Sequence, residues 1–210
     1  LYPQTFRDLI NKEKNAIKLI TLILELCKAL KYIHGKDVFH RDIKPENLLI
    51  AEDDTLKVSD FGISKIMDGE DDLLDNNAGT KLFLAPETWK GKSFHGKPAD
   101  IWAAGGTLYY FLTGKSPFSG LAIDDVKRKI LEDEVKFPSD LKINPKIQEL
   151  VMACLKKDPQ ERITLEEIMQ NAWLTDNGEN PLVNHNDDVV VNEEDVSKAL
   201  TKISFMARVR

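Results

Sequence analysis

The segment from Pro98 to Leu112 constrains the fold most, because nearly all of its residues are apolar or small. A helix that is apolar all round must be enclosed by other elements, since any face left in water would expose apolar surface. Gly114 follows the segment at a position suited to a helix end. The sequence therefore predicts a buried central helix surrounded by other helices.

Four further segments carry helical signals. They are Ala16–His34, Asp124–Asp133, Pro145–Lys157 and a segment through Trp173. The first has an apolar stripe and is followed by Gly35, and the last begins at a capping box of Thr164 and Glu167. Two short apolar runs, 48–50 and 56–58, flank a turn-like sequence and predict a β-hairpin. Residues 63–78 are acidic and lack a period, which predicts a long surface loop.

Composition narrows the function classes. The chain of 210 residues is 42% hydrophobic and 30% charged, as expected for a folded domain. Its net charge of −6 argues against a basic face covering a whole domain, so we expect no nucleic-acid partner. Charged residues interrupt the richest apolar stretch, 16–30, so we also expect no membrane span.

The two cysteines, Cys27 and Cys154, lie far apart in segments with helical patterns. We interpret them as core residues of a protein in a reducing compartment and expect a cytoplasmic location, with a disulfide as the alternative.

The strongest functional signal is an ordered set of short motifs. His40-Arg41-Asp42-Ile43-Lys44-Pro45-Glu46-Asn47 precedes the hairpin, Asp60-Phe61-Gly62 follows it, and Ala85-Pro86-Glu87 and a run from Asp100 to Gly105 come later. In this order they make residues 1–174 resemble the C-terminal lobe of a eukaryotic protein kinase domain. The resemblance implies a mainly α-helical lobe with a short β-hairpin.

The resemblance assigns a role to each motif residue. Asp42 would accept the proton of a substrate hydroxyl, and Lys44 would place a positive charge at the γ-phosphate of ATP. Asn47 and Asp60 would bind Mg²⁺, which prefers oxygen ligands. The implied catalytic residues are Asp42, Lys44, Asn47 and Thr80. The residues implied to bind the nucleotide and its metal are Lys44, Glu46, Asn47, Leu49 and Asp60. Taken singly, each acidic or amide residue is more simply a turn or cap residue.

Other motif residues would support this site. The resemblance implies that His40 packs against Phe61 beneath the site and that Asp100 hydrogen-bonds the backbone of the catalytic loop. It also implies a buried ion pair between Glu87 and Arg162, which would anchor the segment after residue 63 to the last helices.

Substrate class follows from the same resemblance. Lys44, together with Thr80, is typical of serine/threonine kinases. The runs 79–87 and 94–118 are most similar to the calcium/calmodulin-dependent protein kinase kinase group, which implies a protein substrate that is itself a kinase. Lys81 departs from that group, in which proline is usual, so the substrate groove should differ there. Tyr110 stands where kinases selective for basic substrates carry glutamate.

The N-terminal β-rich lobe of a kinase is expected to be absent from this chain. Only 39 residues precede His40, and no two of the 11 glycines are spaced as G-x-G, the spacing of a phosphate-covering loop. The sequence leaves two hypotheses open. The chain is a fragment of an ATP-dependent serine/threonine kinase, inactive when alone, or it is a truncated, inactive kinase-like scaffold that binds partners.

The composition changes after residue 174. Residues 175–210 read as an acidic linker followed by an amphipathic helix from Asn192, with lysines near its apolar face. The simpler interpretation is a helix that packs on the domain, and the alternative is a regulatory segment that binds calmodulin.

The loop after the second motif suggests how the enzyme is activated. Kinases with an arginine before the catalytic aspartate, here Arg41, commonly need a phosphate on this loop to neutralise it. Between residues 63 and 78 the only hydroxyl belongs to Ser64, whereas five carboxylates lie there. One hypothesis is a solvated acidic loop with no specific role. The other is that one carboxylate pairs with Arg41 and orders the loop without phosphorylation.

Overall fold

The computed structural model describes residues 14–50, 55–66, 73–75 and 78–175. The α-helices are α1 Lys14–His34, α2 Gly96–Thr113, α3 Ile123–Glu132, α4 Pro145–Cys154 and α5 Leu165–Met169. The strands are β1 Val38–Phe39, β2 Leu48–Ile50, β3 Leu56–Val58, β4 Lys65–Ile66, β5 Leu73–Leu74 and β6 Phe94–His95. Three short 3₁₀-helices span Pro45–Asn47, Lys81–Phe83 and Pro86–Lys90. Within these ranges, no helix has the length and apolar content needed to cross a membrane.

Helix α2 is the centre of the core, as predicted. Its buried residues lie on every side of the helix, and Trp102 is only 1% exposed. It packs against α4 and also contacts α1. Gly114 caps its C-terminus in the left-handed region, at φ 74°, where glycine carries no Cβ penalty. The remaining elements are arranged around this helix.

The close approach of α2 and α4 depends on Gly105. A Cβ added there would lie 2.5 Å from the Cβ of Cys154, which is the root of a side chain and moves only with the backbone. The glycine therefore sets the separation of the two helices at this level of the core.

Two helices are shorter than the sequence predicts. The helix predicted over Pro145–Lys157 ends at Cys154. Beyond Cys154 the chain makes other contacts: the Lys156 carbonyl accepts a hydrogen bond from Nε of Arg162 at 3.0 Å, and the ammonium of Lys157 donates to carbonyls at the end of α3. The capping box of Thr164 and Glu167 is present as predicted, but α5 ends at Met169 rather than Trp173.

The β-structure is richer than the single hairpin that the sequence predicts. The predicted hairpin is present as the antiparallel pair β2–β3, with Leu48 opposite Val58. Two further antiparallel pairs, β1–β4 and β5–β6, join strands that lie far apart in the sequence. The described residues thus form a mainly helical fold with three small sheets.

The prediction of a surface loop over residues 63–78 is wrong at Leu74. This residue belongs to β5, is 1% exposed and packs with Phe39 and Phe94 in a small cluster beside the main core. A two-residue strand shows no hydrophobic period, and its partner β6 lies about twenty residues away, so no local pattern could reveal it.

Both cysteines are buried and free, which confirms their interpretation as core residues. Burial raises the pKa of Cys154 to about 12, and burial, with a contribution from Cys154, also raises the pKa of Cys27. Both side chains therefore remain protonated thiols at neutral pH and pack as small apolar groups.

We expect Gly105→Ala to destabilise the protein by about 1–3 kcal/mol, because the new methyl group forces α2 and α4 apart. Gly106→Ala is the matched control. Its Cβ would meet the Phe83 ring at 3.2 Å, where a side chain can shift, and alanine favours the helix by about 1 kcal/mol over glycine. Urea unfolding of the two variants measures the difference, and equal stabilities would contradict the packing argument.

Candidate functional site

The loop that carries Asp42 is held in place by Asp100 of α2. The carboxylate of Asp100 is 1% exposed and accepts hydrogen bonds from the backbone N–H of His40 at 3.0 Å and of Arg41 at 2.9 Å. It also accepts one from Nε2 of His34 at 2.9 Å. The predicted contact with the catalytic-loop backbone is thus confirmed. These bonds support Arg41 in the left-handed region, at φ 69°, a conformation that non-glycine residues adopt only when their surroundings stabilise it.

Asp42 lies at the centre of a hydrogen-bonded cluster with Lys44, Asn47 and Thr80. Its Oδ2 accepts from Lys44 Nζ at 2.6 Å and from Asn47 Nδ2 at 3.2 Å. Its Oδ1 accepts from the Thr80 hydroxyl at 2.7 Å and from the Thr80 backbone N–H at 2.8 Å. The Thr80 hydroxyl accepts in turn from Lys44 at 2.9 Å. The structure thus brings together all four residues of the predicted catalytic set.

The same contacts determine the charge of Asp42. Burial by itself raises the pKa of this carboxyl, but hydrogen bonds from Lys44 and Thr80 and the positive charge of Lys44 outweigh it, so the pKa lies below its ordinary value. Asp42 is therefore a carboxylate at neutral pH. Because its folded-state pKa is lowered, its contribution to stability is present at neutral pH and is lost as the pH falls through that lowered pKa.

Gly79 permits the approach of Thr80 to Asp42. It has a φ of 124°, and a Cβ there would lie 2.5 Å from the backbone carbonyl oxygen of Arg41. Two backbone segments from distant parts of the sequence meet at this point, and only glycine satisfies both the conformation and the space.

Asn47 and Asp60 lie at the same end of the β2–β3 hairpin. The Nδ2 of Asn47 donates to the backbone carbonyl of Asp42 at 2.8 Å, which directs the amide nitrogen inward and leaves Oδ1 as the other end of the side chain. Ser59, next to Asp60, donates its backbone N–H at 2.9 Å and its hydroxyl at 3.1 Å to the Asn47 carbonyl. Asp60 is exposed, and its Oδ1 accepts from the Gly62 N–H at 3.3 Å.

This pair of oxygen-bearing side chains fits a divalent cation such as Mg²⁺, which takes one or two protein carboxylate or amide oxygens and completes its shell with water and phosphate. Within the described ranges no cluster of three or more His, Cys, Asp or Glu side chains is placed to hold a metal.

Two predicted nucleotide-binding residues lie outside the cluster. Leu49 is 52% exposed on the face of β2 opposite Leu48, which leaves its side chain available to a flat apolar ligand. Glu46 is exposed in the 3₁₀-helix Pro45–Asn47. No contact in the described part of the structure joins Glu46 to Asp42, so its predicted role stays a prediction.

His40 links the loop that carries Asp42 to the segment after the hairpin. Its ring packs against Phe61 with centroids 4.7 Å apart, as the sequence predicts. Its Nδ1 accepts from the Asp42 N–H at 3.3 Å and its Nε2 donates to the Ser59 carbonyl at 3.0 Å, which assigns the neutral tautomer with hydrogen on Nε2. The position of Asp60 is thus coupled to that of Asp42 through one imidazole.

The predicted ion pair between Glu87 and Arg162 is also confirmed. The guanidinium, with 0% side-chain exposure, donates to both carboxylate oxygens, at 2.6 and 2.9 Å, and to the backbone carbonyl of Pro98 at 2.8 Å. It also lies over the Trp102 ring, 5.1 Å from the centroid. One buried arginine therefore connects the 3₁₀-helix Pro86–Lys90 to α2 and to the segment before α5.

Strand β5 brings a carboxylate toward Arg41. Leu74 is fixed in the small cluster and paired with Phe94, and the next residue, Asp75, is close enough for its charge to act on Arg41. Burial lowers the pKa of Arg41, and the negative charges of Asp100 and Asp75 oppose that effect. Ser64 donates its hydroxyl to the His40 carbonyl at 3.2 Å.

Sequence reasoning missed two residues that build the site. His34, the last residue of α1, donates to Asp100, and Ser59 holds the Asn47 backbone. Neither is marked by a local pattern, since a terminal helix histidine and a serine before an aspartate are common, and only the three-dimensional proximity reveals their partners.

We expect Arg162→Met to lower the free energy of unfolding by about 3–5 kcal/mol, because it leaves the Glu87 carboxylate buried without its counter-charge. Arg128→Met is the control, since Arg128 forms only exposed ion pairs and its loss should change stability little. Thermal or urea unfolding compares the two. Equal losses would contradict the anchoring role of Arg162.

The sequence is similar to those of known protein kinases. Residues 4–174 match the family model described as protein kinase domain. The chain is 37% identical over 72% of its length to serine/threonine-protein kinase GRIK1 of Arabidopsis thaliana, covering 38% of that protein. It is 36% identical over 85% of its length to a calcium/calmodulin-dependent protein kinase kinase of Caenorhabditis elegans, covering 34% of that protein. It is 42% identical over 71% of its length to CBL-interacting protein kinase 25 of Oryza sativa, covering 29% of that protein. The chain thus spans about a third of the length of these relatives.

Proposed function

The chain belongs to the protein kinase domain family, and we propose that the full-length protein is a serine/threonine kinase that transfers the γ-phosphate of ATP to a protein hydroxyl. The observation that carries this proposal is the Asp42 carboxylate, held between Lys44, Asn47 and Thr80 by hydrogen bonds of 2.6 to 3.2 Å. Phosphoryl transfer requires orientation and charge stabilisation more than covalent chemistry, and this cluster supplies both.

Each side chain of the cluster has a definite task. Asp42 accepts a hydrogen bond from the incoming hydroxyl, orients its lone pair and takes its proton as the new P–O bond forms. Lys44 stabilises negative charge on the transferring group. Thr80 fixes the carboxylate of Asp42 from the opposite side, so that one rotamer is maintained. The lowered pKa of Asp42 keeps this carboxylate ionised and ready to accept a hydrogen bond.

Asn47 and Asp60 would hold Mg²⁺, which supplies charge neutralisation of the ATP phosphates. The exposed Leu49 on β2 would contact the base of the nucleotide, and Glu46 would face the substrate side. The backbone bonds of Ser59 to Asn47 keep the two ligand residues at one end of the hairpin.

The alternative is an inactive kinase-like scaffold that only docks partners. The bonds around Asp42 argue for the enzyme, since docking gives no reason to hold a carboxylate, an ammonium and an amide at this spacing with the carboxylate buried. A desolvated charge lowers stability unless it is paired, and buried, paired charges with a shifted pKa cluster at functional sites.

We expect Asp42→Asn in the full-length protein to lower kcat by several orders of magnitude without unfolding the domain, because the amide cannot take the hydroxyl proton. Asp140→Asn, at an exposed position, is the control and should retain full activity. Transfer of labelled phosphate to a protein substrate measures both, and circular dichroism checks the fold. Activity within about twofold of wild type in Asp42→Asn would overturn the proposed mechanism.

The substrate and partners are proposals that rest on the relatives. The C. elegans relative is by its name a kinase of a kinase, which supports a protein kinase as the substrate of this protein. The same name refers to calmodulin, and a calmodulin-binding segment is proposed for residues 192–210, which lie outside the described residues. A cytoplasmic location is likewise proposed.

For activation, we propose that Asp75 takes the place of a loop phosphate opposite Arg41. The paired strands β5 and β6 position Asp75, and its charge acts on the Arg41 guanidinium. A carboxylate carries less charge than a phosphate, so the ordering should weaken as salt is added.

We therefore expect phosphatase treatment of the full-length enzyme to leave kcat unchanged, once mass spectrometry shows residues 60–87 to be unmodified. Asp75→Asn should lower kcat several-fold, and Asp75→Glu should retain most of the activity because the charge is kept. A loss of more than about tenfold after phosphatase, recovered on rephosphorylation of Ser64 or Thr80, would contradict this prediction.

A further inference from the structure

Two lysines from different elements meet on one tryptophan beside the candidate site. The ammonium of Lys81 lies 5.4 Å from the ring centroid of Trp89, and that of Lys127 lies 5.9 Å from the same centroid. Lys81 begins the 3₁₀-helix Lys81–Phe83, Trp89 belongs to the 3₁₀-helix Pro86–Lys90, and Lys127 lies on α3, which packs against both.

The arrangement concentrates positive charge that is not neutralised locally. Among the described residues, no carboxylate forms an ion pair with Lys81 or Lys127, whereas Lys129, two residues further along α3, pairs with Asp125 at 3.2 Å. Two like charges on one ring repel each other, and the attraction of each ammonium to the face of the partly buried Trp89 ring is modest. An anion bound between the two lysines would relieve this repulsion.

The position of Lys81 identifies the source of that anion. Lys81 directly follows Thr80, whose hydroxyl lies 2.7 Å from Oδ1 of Asp42. A substrate whose Ser or Thr hydroxyl reaches Asp42 places its neighbouring residues about 3.3–3.6 Å apart along an extended chain. The one or two residues next to the acceptor therefore pass within reach of the Lys81 side chain.

We propose that Lys81, Lys127 and Trp89 form an acid-selecting subsite that binds an Asp or Glu side chain within two residues of the phosphorylated Ser or Thr. This inference rests on the proposed kinase activity. The chain as a whole carries a net charge of −6, so it does not attract acidic peptides at long range, and the selectivity is local to these two ammonium groups.

The test is a peptide series phosphorylated by the full-length enzyme. Each peptide has one acceptor Ser and carries Asp, Ala or Arg at each of the two positions on either side of it. We expect kcat/KM for the best Asp peptide to exceed that for its Ala counterpart by about fivefold, mainly through KM, and to fall as salt is raised.

Charge variants assign the preference to these residues. Lys81→Met with Lys127→Met should abolish the ratio between Asp and Ala peptides, and Lys81→Glu should favour the Arg peptide. Lys142→Met, which removes an exposed lysine elsewhere, should leave the ratio unchanged. A phosphoserine peptide tested at the same position distinguishes a phosphate from a carboxylate as the preferred anion, and a response to phosphoserine alone would overturn the proposed Asp or Glu ligand.

The possible results distinguish failure of the proposed subsite from failure of the proposed kinase activity. If no peptide or protein is phosphorylated, the proposed kinase function fails and the subsite falls with it. If peptides are phosphorylated but Asp, Ala and Arg give equal kcat/KM, or if the double lysine variant keeps the acidic preference, the subsite alone is overturned.

Discussion

The buried carboxylate of Asp100 is the contact on which the site depends. It accepts three hydrogen bonds, from His34, His40 and Arg41, and so joins the end of α1 and the loop that carries Asp42 to the central helix α2. A carboxylate this deeply buried is unfavourable unless its oxygens are satisfied, and here the loop backbone itself satisfies them. The loop therefore takes its conformation, including the left-handed Arg41, from the core.

The segment that contains Gly79 and Thr80 holds Asp42 from the opposite side. Gly79 lets the Thr80 segment press against the Arg41 carbonyl, and Thr80 then holds Asp42 through its hydroxyl and its N–H. The ion pair of Arg162 and Glu87 anchors the same segment a few residues later. Asp42 is thus fixed between two backbone segments that are each tied to α2, one through Asp100 and one through Arg162.

Much of this was predictable from the sequence, for two physical reasons. The burial of a long element such as α2 is visible in its own residue pattern. For motif residues such as Asp42 and Glu87, the resemblance to a known family also predicts which residues they contact. What the sequence did not reveal is non-local. The burial of Leu74, the pairing of β5 with β6 and the role of His34 arise where distant segments meet, and no local period records such contacts.

The charge state of Asp42 shows what this architecture achieves. Burial alone would favour the protonated carboxyl, which cannot accept a substrate proton, and the hydrogen bonds from Lys44 and Thr80, together with the positive charge of Lys44, reverse that preference. Because those donors are fixed by the core, little reorganisation is needed when a hydroxyl approaches. Lys44 contributes twice, since the ammonium that keeps Asp42 ionised would, in the proposed reaction, also stabilise negative charge on the transferring phosphoryl group. The same Lys44–Asp42 contact therefore sets the charge of Asp42 before substrate binds and serves the proposed phosphoryl transfer.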